Sequence, residues 1–504
     1  MGKFGISRRN FIILSGSAVA AGMIGISCDN TNDNQTDLVQ PRVRQSIDGL
    51  LNIALNIGFA SNVLTGQGGP VNVFTRTYNR SIPGPTLRVN PRDTMNIELI
   101  NNLPPNIDTI PINMFMPHKT NTTNLHTHGL HVSPSGNSDN VLLMINPGEV
   151  FTNTIQIPPN HPGGTHWYHP HKHGSVDIQM TSGMSGVIII EGELDKVPEI
   201  AAAREVVLLF QEMNLSSEGV VENPDLTATT IGSVFPSDQT LYTVNGQLKP
   251  VLRARPGEVL RLRCVNGTIG TFYPLQLDDH DLNWIAHDGI SFPEVRTVQE
   301  TLLAPGNRNE FLIKAGAHGT YQLRGLEFER SSNLIRDEVE LLTLVVEGSP
   351  MDMPLPTTLV EAPYAPITDG ELTGTRELVF DTVDNDGQFP SGYNLDTANI
   401  IDGNLYQEDI INQNIQLGAV EEWTIVNNAS EVHNFHIHTN PFELIERNGV
   451  AEDPPLWGDT VVLPAGGSVK FRSRFLDFTG TYVLHCHIID HEDLGMMQNV
   501  KVSI

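Results

Sequence analysis

Cysteine is nearly absent: 504 residues contain only Cys28, Cys264 and Cys486. Once Cys486 is given to a metal and Cys28 to an N-terminal targeting segment, as argued below, no pair remains for a disulfide. Basic side chains are also scarce, 30 Lys plus Arg against 58 Asp plus Glu. That balance argues against nucleic acid and anionic membranes as partners and suits a well-solvated surface. Long helical patterns are few, whereas 44 Gly and 33 Pro punctuate the chain and predict many short strands and turns. The apolar stretch from Phe11 to Ile26 is too short and too rich in Gly and Ser to span a membrane stably. The length leaves room for three or four domains of ordinary size.

What the chain does have is concentrated near its C-terminal end, GTYVLHCHIIDHEDLGMMQ, beginning at Gly480. In an extended strand His485 and His487 point to one face, about 7 Å apart, while Cys486 points to the other. One backbone stretch then serves two metal sites. A thiolate, two imidazoles and a weak thioether form the ligand set of a blue copper centre. Cys486, His491 and Met496 supply three members, and the fourth must be a histidine from elsewhere. A histidine-rich strand end around a buried cysteine is the bland alternative, and each added fixed position makes it a poorer account.

The N-terminal residues SRRNFIILSGSAVAAGMIGISC place a twin arginine, Arg8 and Arg9, before the apolar stretch and read as an export signal over residues 1–28. Such signals suit proteins exported already folded, and a periplasmic or extracytoplasmic location is expected. Cys28 is a candidate lipid-attachment site, although the preceding GIS fits that pattern poorly. Residues 29–44 are polar and aromatic-free and read as a linker.

Beyond them the chain repeats itself three times. An alternating strand ending in Asn recurs at Asn101, Asn266 and Asn427, and Gly-Thr before an apolar strand recurs at Gly164, Gly319 and Gly480. Period-two alternation with frequent turns makes each unit a β-sandwich, over residues 45–198, 199–350 and 371–504, with a Pro-rich linker at 351–370. Laying Gly164-Thr165 on Gly480-Thr481 matches His169 to His485 and His171 to His487, which disfavours the competing pair His171 and His173. Laying NLHTHG on NFHIHT matches His126 to His436 and His128 to His438. His433 is left over as the fourth ligand of the blue site. The middle repeat has Leu275, Leu277, Gln322 and Arg324 at or near these positions, so the second domain is expected to hold no copper in this way. Cys264, in the alternating run VLRLRCV, reads as a core residue.

With HTHG, HPH, HNFHIH and HCHIIDHEDLGM all present, the chain from about residue 60 onwards resembles the multicopper oxidases, in particular the three-domain bacterial branch of laccases, cuprous oxidases and bilirubin oxidases. The resemblance implies three cupredoxin domains and four coppers. It assigns His433, Cys486 and His491 with axial Met496 to a type 1 copper. His126 and His436 would hold the type 2 copper, and His128, His169, His171, His438, His485 and His487 the type 3 pair. It also implies that single electrons from a donor enter at the type 1 site and reach dioxygen through Cys486. Asp139 and Glu492 stand where the family places acids that supply protons.

The linker offers only Met351 and Met353, whereas cuprous oxidases of this branch tend to carry a longer methionine-rich insert. The expected donor is therefore a phenol or aromatic amine, with a metal ion as the alternative. An axial Met496 implies a potential below the highest in the family. His433, His491 and Glu431 are expected to border the donor site. A copper-binding scaffold without turnover and a two-domain nitrite reductase fit less well, since all twelve ligand positions and a third repeat are present. The chain is expected to act as a monomer. His118, His131, His161, His166, His173, His280, His287 and His318 match no ligand position and read as surface or satisfied residues, and Met114, Met116 and His118 as packing or loop residues.

Overall fold

The computed structural model of the protein describes residues 36–107, 114–115, 117–221, 238–385 and 396–504. The twin arginine, Cys28 and Met116 lie outside them. The described chain forms three successive pairs of sheets, so the fold is all-β, as the alternation predicts. A five-stranded and a four-stranded sheet come from Val43–Ile190, and six-stranded and five-stranded sheets come first from Arg204–Val346 and again from Gly374–Ser503.

Alternation explains how each pair closes. In Thr94–Asn101, Met95, Ile97 and Leu99 are buried while Glu98 is exposed, and the buried row joins Leu51, Leu87, Ile188 and Ile190 in one core. The corresponding strand Val259–Asn266 is buried throughout. Leu260, Leu262 and Cys264 line the second core, as expected for Cys264. Arg261 and Arg263, on the other face, meet Asp195, Glu205 and Glu310. Thr165 of the first sandwich joins through its hydroxyl, 3.0 Å from Arg263. These charges seal the first sandwich to the second.

The three recurrent asparagines share one task. Asn101 donates from Nδ2 to the carbonyls of Asn121 and Ile145 and accepts from Leu103 N–H. Asn266 does the same with Thr271, Leu303 and Thr268, and Asn427 with Glu431, Leu463 and Ala429. Each buried amide ties the loop that delivers the next strand, and in the first and third units that strand carries histidines.

Strand pairing then sets the histidines in register. His126 faces His169 across an antiparallel pair, and His436 faces His485 in the same way. The middle repeat departs from the sequence alignment: Leu275 faces Gly325, Gln276 faces Arg324, and a bulge lies between Leu323 and Arg324. The bulge lies on the far side of that strand, where Leu323 pairs with Leu342 and Arg324 with Glu340, while the pairing with Tyr273–Leu277 is continuous and sits one residue from the aligned positions.

Two stretches read as linkers are tied down. Leu38 and Val39 donate backbone N–H groups to Val251 O and Gln247 Oε1 of the second sandwich, and Val43–Gln45 pairs with Thr86–Val89 of the first. Met353, Leu355, Leu359 and Val360 pack against a core beneath the second sandwich. Met353 also accepts Val259 N–H through sulfur. Apolar side chains in both stretches make packing more favourable than a free tether.

Candidate metal centre

His433 opens the strand His433–Ile437, Cys486 closes Gly480–Cys486, and His491 sits in the short helix Ile489–Asp493. Their ligand atoms form a triangle: Cys486 Sγ is 3.6 Å from His433 Nδ1 and 3.8 Å from His491 Nδ1, and the two nitrogens are 3.2 Å apart. The outer nitrogens are held from behind, His433 Nε2 by the Thr382 hydroxyl at 3.3 Å and His491 Nε2 by Glu431 at 3.3 Å. Met496 shares the Cys486 core cluster, and paired backbone bonds to Cys486 and His491 fold it back beside them. Burial pushes the Cys486 thiol up to about 12. A coordinating cation reverses that by taking the thiolate. Two imidazoles, one thiol and a nearby thioether fit copper.

On the other side of Cys486 the eight remaining imidazoles gather in one buried nest. His171 Nε2 lies 3.1 Å from His485 Nε2, which lies 3.3 Å from His438 Nε2. The single lone pair of one imidazole nitrogen cannot satisfy two neighbours, whereas a metal ion shared by all three does. His128, His169 and His487 form a second group, and His126 and His436 a third that His128 borders. Carbonyls decide several tautomers, because they only accept: His169 Nδ1 donates to Pro170 O at 2.8 Å and His436 Nδ1 to Asp459 O at 2.8 Å. Their Nε2 atoms, with that of His126, have no protein partner. Burial above all pushes His126, His128, His169, His438 and His487 well below the usual histidine range, which keeps them neutral and ready to ligate.

Both expected acids face this nest. Asp139 accepts from His126 Nδ1 at 3.1 Å and Thr127 N–H at 2.8 Å, and burial raises it to about 6. Glu492 lies 3.1 Å from His485 Nδ1 and 3.4 Å from His171 Nδ1. Burial alone would raise Glu492, but electrostatic interaction with His171 and His485 and the hydrogen bond from His485 outweigh it and bring it down to about 2.

Sequence reading missed Asp459 and Arg308. The Asp459 carboxylate meets His128 Nε2 at 3.1 Å and His436 Nδ1 at 3.4 Å, and it holds the Arg308 guanidinium with two hydrogen bonds. Burial pushes Asp459 up, yet Arg308 holds it well below the usual carboxylate range. Only strand pairing signals this residue: Thr460–Leu463 runs beside His433–Ile437 and sets Thr460 opposite His436. The non-ligand histidines are also more buried than expected. His118, His161, His166, His173, His280 and His287 are all buried, and both ring nitrogens of His166 lack a protein partner. Among the eight, His131 is half-buried and only His318 is exposed.

A cavity of about 390 Å³ opens beside the first site. Tyr242, Phe272 and Phe328 line it together with Asp177, Glu212 and Asp490, and Arg330 connects it to Glu431 at 3.7 Å. A smaller cavity of about 190 Å³ is bordered by His171, Tyr406 and Met497 beneath the Lys172–Glu408 ion pair.

Three family models, each described as multicopper oxidase, match residues 67–195, 204–343 and 377–504. A multicopper oxidase of Staphylococcus haemolyticus is 27% identical over 493 residues, covering 94% of each chain. A laccase of Bacillus stratosphericus is 26% identical over 477 residues, with 84% of this chain and 90% of the relative covered. The solved structure of a Campylobacter jejuni multicopper oxidase, described as a metallo-oxidase, superposes with a TM-score of 0.75 at 23% identity, covering 95% of this chain and 99% of that one. That likeness is one of fold, three cupredoxin sandwiches.

Proposed function

The chain belongs to the multicopper oxidase family, and from that premise we propose a laccase-type enzyme that takes single electrons from a small donor and passes them to dioxygen. The observation that carries this reading is the tripeptide His485-Cys486-His487. Its thiol joins the His433–His491 triangle, and its two imidazoles join two different groups of the buried nest. Any electron leaving the first site reaches the nest along two peptide neighbours.

Copper, when bound, would supply one-electron redox at each site: His433, Cys486 and His491 with Met496 would hold one ion, His126 and His436 another, and His128, His169, His487 and His171, His438, His485 two more. The side chains around the nest handle protons. Reducing dioxygen to water consumes four; Asp139, raised to about 6 beside His126 Nδ1, would donate them, and the ionised Glu492 beside His485 Nδ1 would accept and relay them. Burial of every imidazole excludes bulk water from the reaction.

The donor binds in the 390 Å³ cavity, where Arg330 and Glu431 lead to His491 Nε2. Its aromatic wall suits a phenol or aromatic amine. A metal cation is the second reading, favoured by Asp177, Glu212 and Asp490 in the same wall and in keeping with the description of the Campylobacter jejuni protein as a metallo-oxidase. The twin-arginine sequence supports export to the periplasm or another extracytoplasmic space through the twin-arginine machinery, with Cys28 as a possible lipid anchor, and the enzyme would work there as a monomer.

Oxygen uptake by copper-loaded protein, with a methoxyphenol and with cuprous ion as donors, tests this reading. Rapid uptake with the phenol and little with cuprous ion is expected; the reverse makes the enzyme a metal oxidase. No uptake with either, from fully loaded protein, would contradict the oxidase reading.

A further inference from the structure

The second sandwich supplies no imidazole or thiol to any of the four candidate metal groups among the described residues, yet it reaches the nest. Arg308, fully buried, donates from Nη1 to Asp459 Oδ1 at 2.8 Å and from Nη2 to Asp459 Oδ2 at 2.5 Å. Its other hydrogens go to carbonyls: Nη1 to Gly306, Nη2 to Asp288 and Nε to Thr165 of the first sandwich. The guanidinium thus joins residues of all three sandwiches at one point. The geometry reserves that point for it. Gly129, which follows the His126–His128 strand, has φ +86°, and a Cβ there would lie 2.1 Å from Arg308 Nη2 and 2.9 Å from Asp459 Oδ2. The glycine of HTHG is therefore required by the ion pair, on two counts.

Asp459 faces His128 and His436, one imidazole from each of the two sandwiches that make the nest. It meets His128 at Nε2, 3.1 Å away, which leaves Nδ1 to face His487 Nε2 at 3.3 Å. It meets His436 at Nδ1 through its backbone oxygen and its carboxylate, with the Thr460 hydroxyl at 3.0 Å. That leaves His436 Nε2 without a protein partner. A carboxylate only accepts, so it selects the tautomer of whichever ring it holds.

We propose that Asp459 is a positioning residue whose carboxylate makes His128 ligate through Nδ1 and whose backbone carbonyl, helped by the carboxylate, makes His436 ligate through Nε2, and that Arg308 of the second sandwich fixes the orientation of the carboxylate. The proposal rests on the multicopper reading above. Without the carboxylate, His128 is free to present its other nitrogen, and His436 keeps the Asp459 backbone carbonyl but loses its 3.4 Å carboxylate contact, so the ions held by His126, His128 and His436 change geometry while the Cys486 site does not.

The test is Asp459→Asn in the full-length, copper-loaded enzyme, read by electron paramagnetic resonance of the His126–His436 copper, by blue absorption of the Cys486 site and by copper content. The amide can donate and so permits the wrong tautomer. The expected result is an altered resonance spectrum of that copper and a roughly 10- to 100-fold loss of its affinity or of turnover, the usual cost of removing such a partner. The blue absorption stays unchanged. Asp459→Glu should restore the wild-type resonance at least in part, which a merely structural role would not predict. If Asp459→Asn fails to fold because Arg308 is left with only the Asp288 carboxylate at 3.4 Å, Asp459→Asn with Arg308→Gln removes that charge and is read in the same way. A wild-type resonance with wild-type turnover in the folded variant overturns the positioning role alone. A wild-type enzyme that shows neither blue absorption nor this resonance overturns the multicopper reading and the proposal with it.

Discussion

Cys486 is the one side chain through which both halves of the proposed chemistry pass, because its thiol faces the His433–His491 triangle while its peptide neighbours face the nest. Cys486→Ser should abolish the blue absorption, lower the copper content by one ion per chain and stop donor oxidation, while the resonance of the His126–His436 copper persists; absorbance and metal analysis check this. A second expectation concerns the donor cavity. Burial, then the like charges of Asp490 and Glu212, push the Asp177 carboxyl up to about 7. The carboxyl is neutral below that pH and negative above it. The KM for a cationic donor should therefore fall as pH rises through about 7, by roughly two- to fivefold, the worth of a partly exposed ion pair. A neutral phenol should show no such change, and Asp177→Asn should flatten the profile. Residues with fixed local spacing, such as His485, Cys486, His487 and His491, were legible from sequence. Asp459 was not: its bond to Arg308 spans 151 positions and joins two sandwiches, and no local pattern marks either partner.

The strand ending in Asn illustrates what an element carries in this fold. Asn427 ties the carbonyls of Glu431, Leu463 and Pro464, and the loop it shapes delivers His433. Asn427→Ala leaves those carbonyls without their donor and should cost about 1–3 kcal/mol. It should also broaden the blue absorption, visible in a denaturation curve and a spectrum of the same sample. The companion strand of the second unit serves an interface instead. Arg263 is completely buried among Glu310, Glu205 and Asp195; Arg263→Ala leaves Arg261 to pair Asp195 and Glu310 and Arg88 to pair Glu205, and the lost hydrogen bonds should cost about 1–3 kcal/mol, read as a lower denaturation midpoint. The repeats made these strands legible because alternation is a local property of the chain. The bulge between Leu323 and Arg324 was not legible, since one extra residue in the partner strand, Leu341, carries no local signal until the two strands pair.

At the scale of the whole molecule, the nest takes imidazoles from the first and third sandwiches, and Arg308 of the second braces it from behind. The third sandwich also grips the first through Asp493, whose carboxylate receives the Gly174 N–H and, at 3.2 Å, the Asp177 N–H. Copper shared by ligands so far apart in sequence should act as a staple. Its removal by a chelator should lower the melting temperature and make the protein more open to proteolysis, because an ion bound only by the native state stabilises that state by mass action. Three sandwiches and their order followed from the sequence. The hold of residues 36–44 on the second sandwich did not, since a polar stretch with only a few apolar side chains reads as a tether until its partner is known.

The central claim is that one-electron oxidations at the Cys486 site are gathered for complete reduction of dioxygen at the nest. The stoichiometry of copper-loaded enzyme, donor consumed against dioxygen consumed with peroxide assayed in parallel, tests it most directly. Four one-electron equivalents per dioxygen with no peroxide is the predicted result. Two equivalents with peroxide accumulating, from protein holding its full copper, would contradict the account.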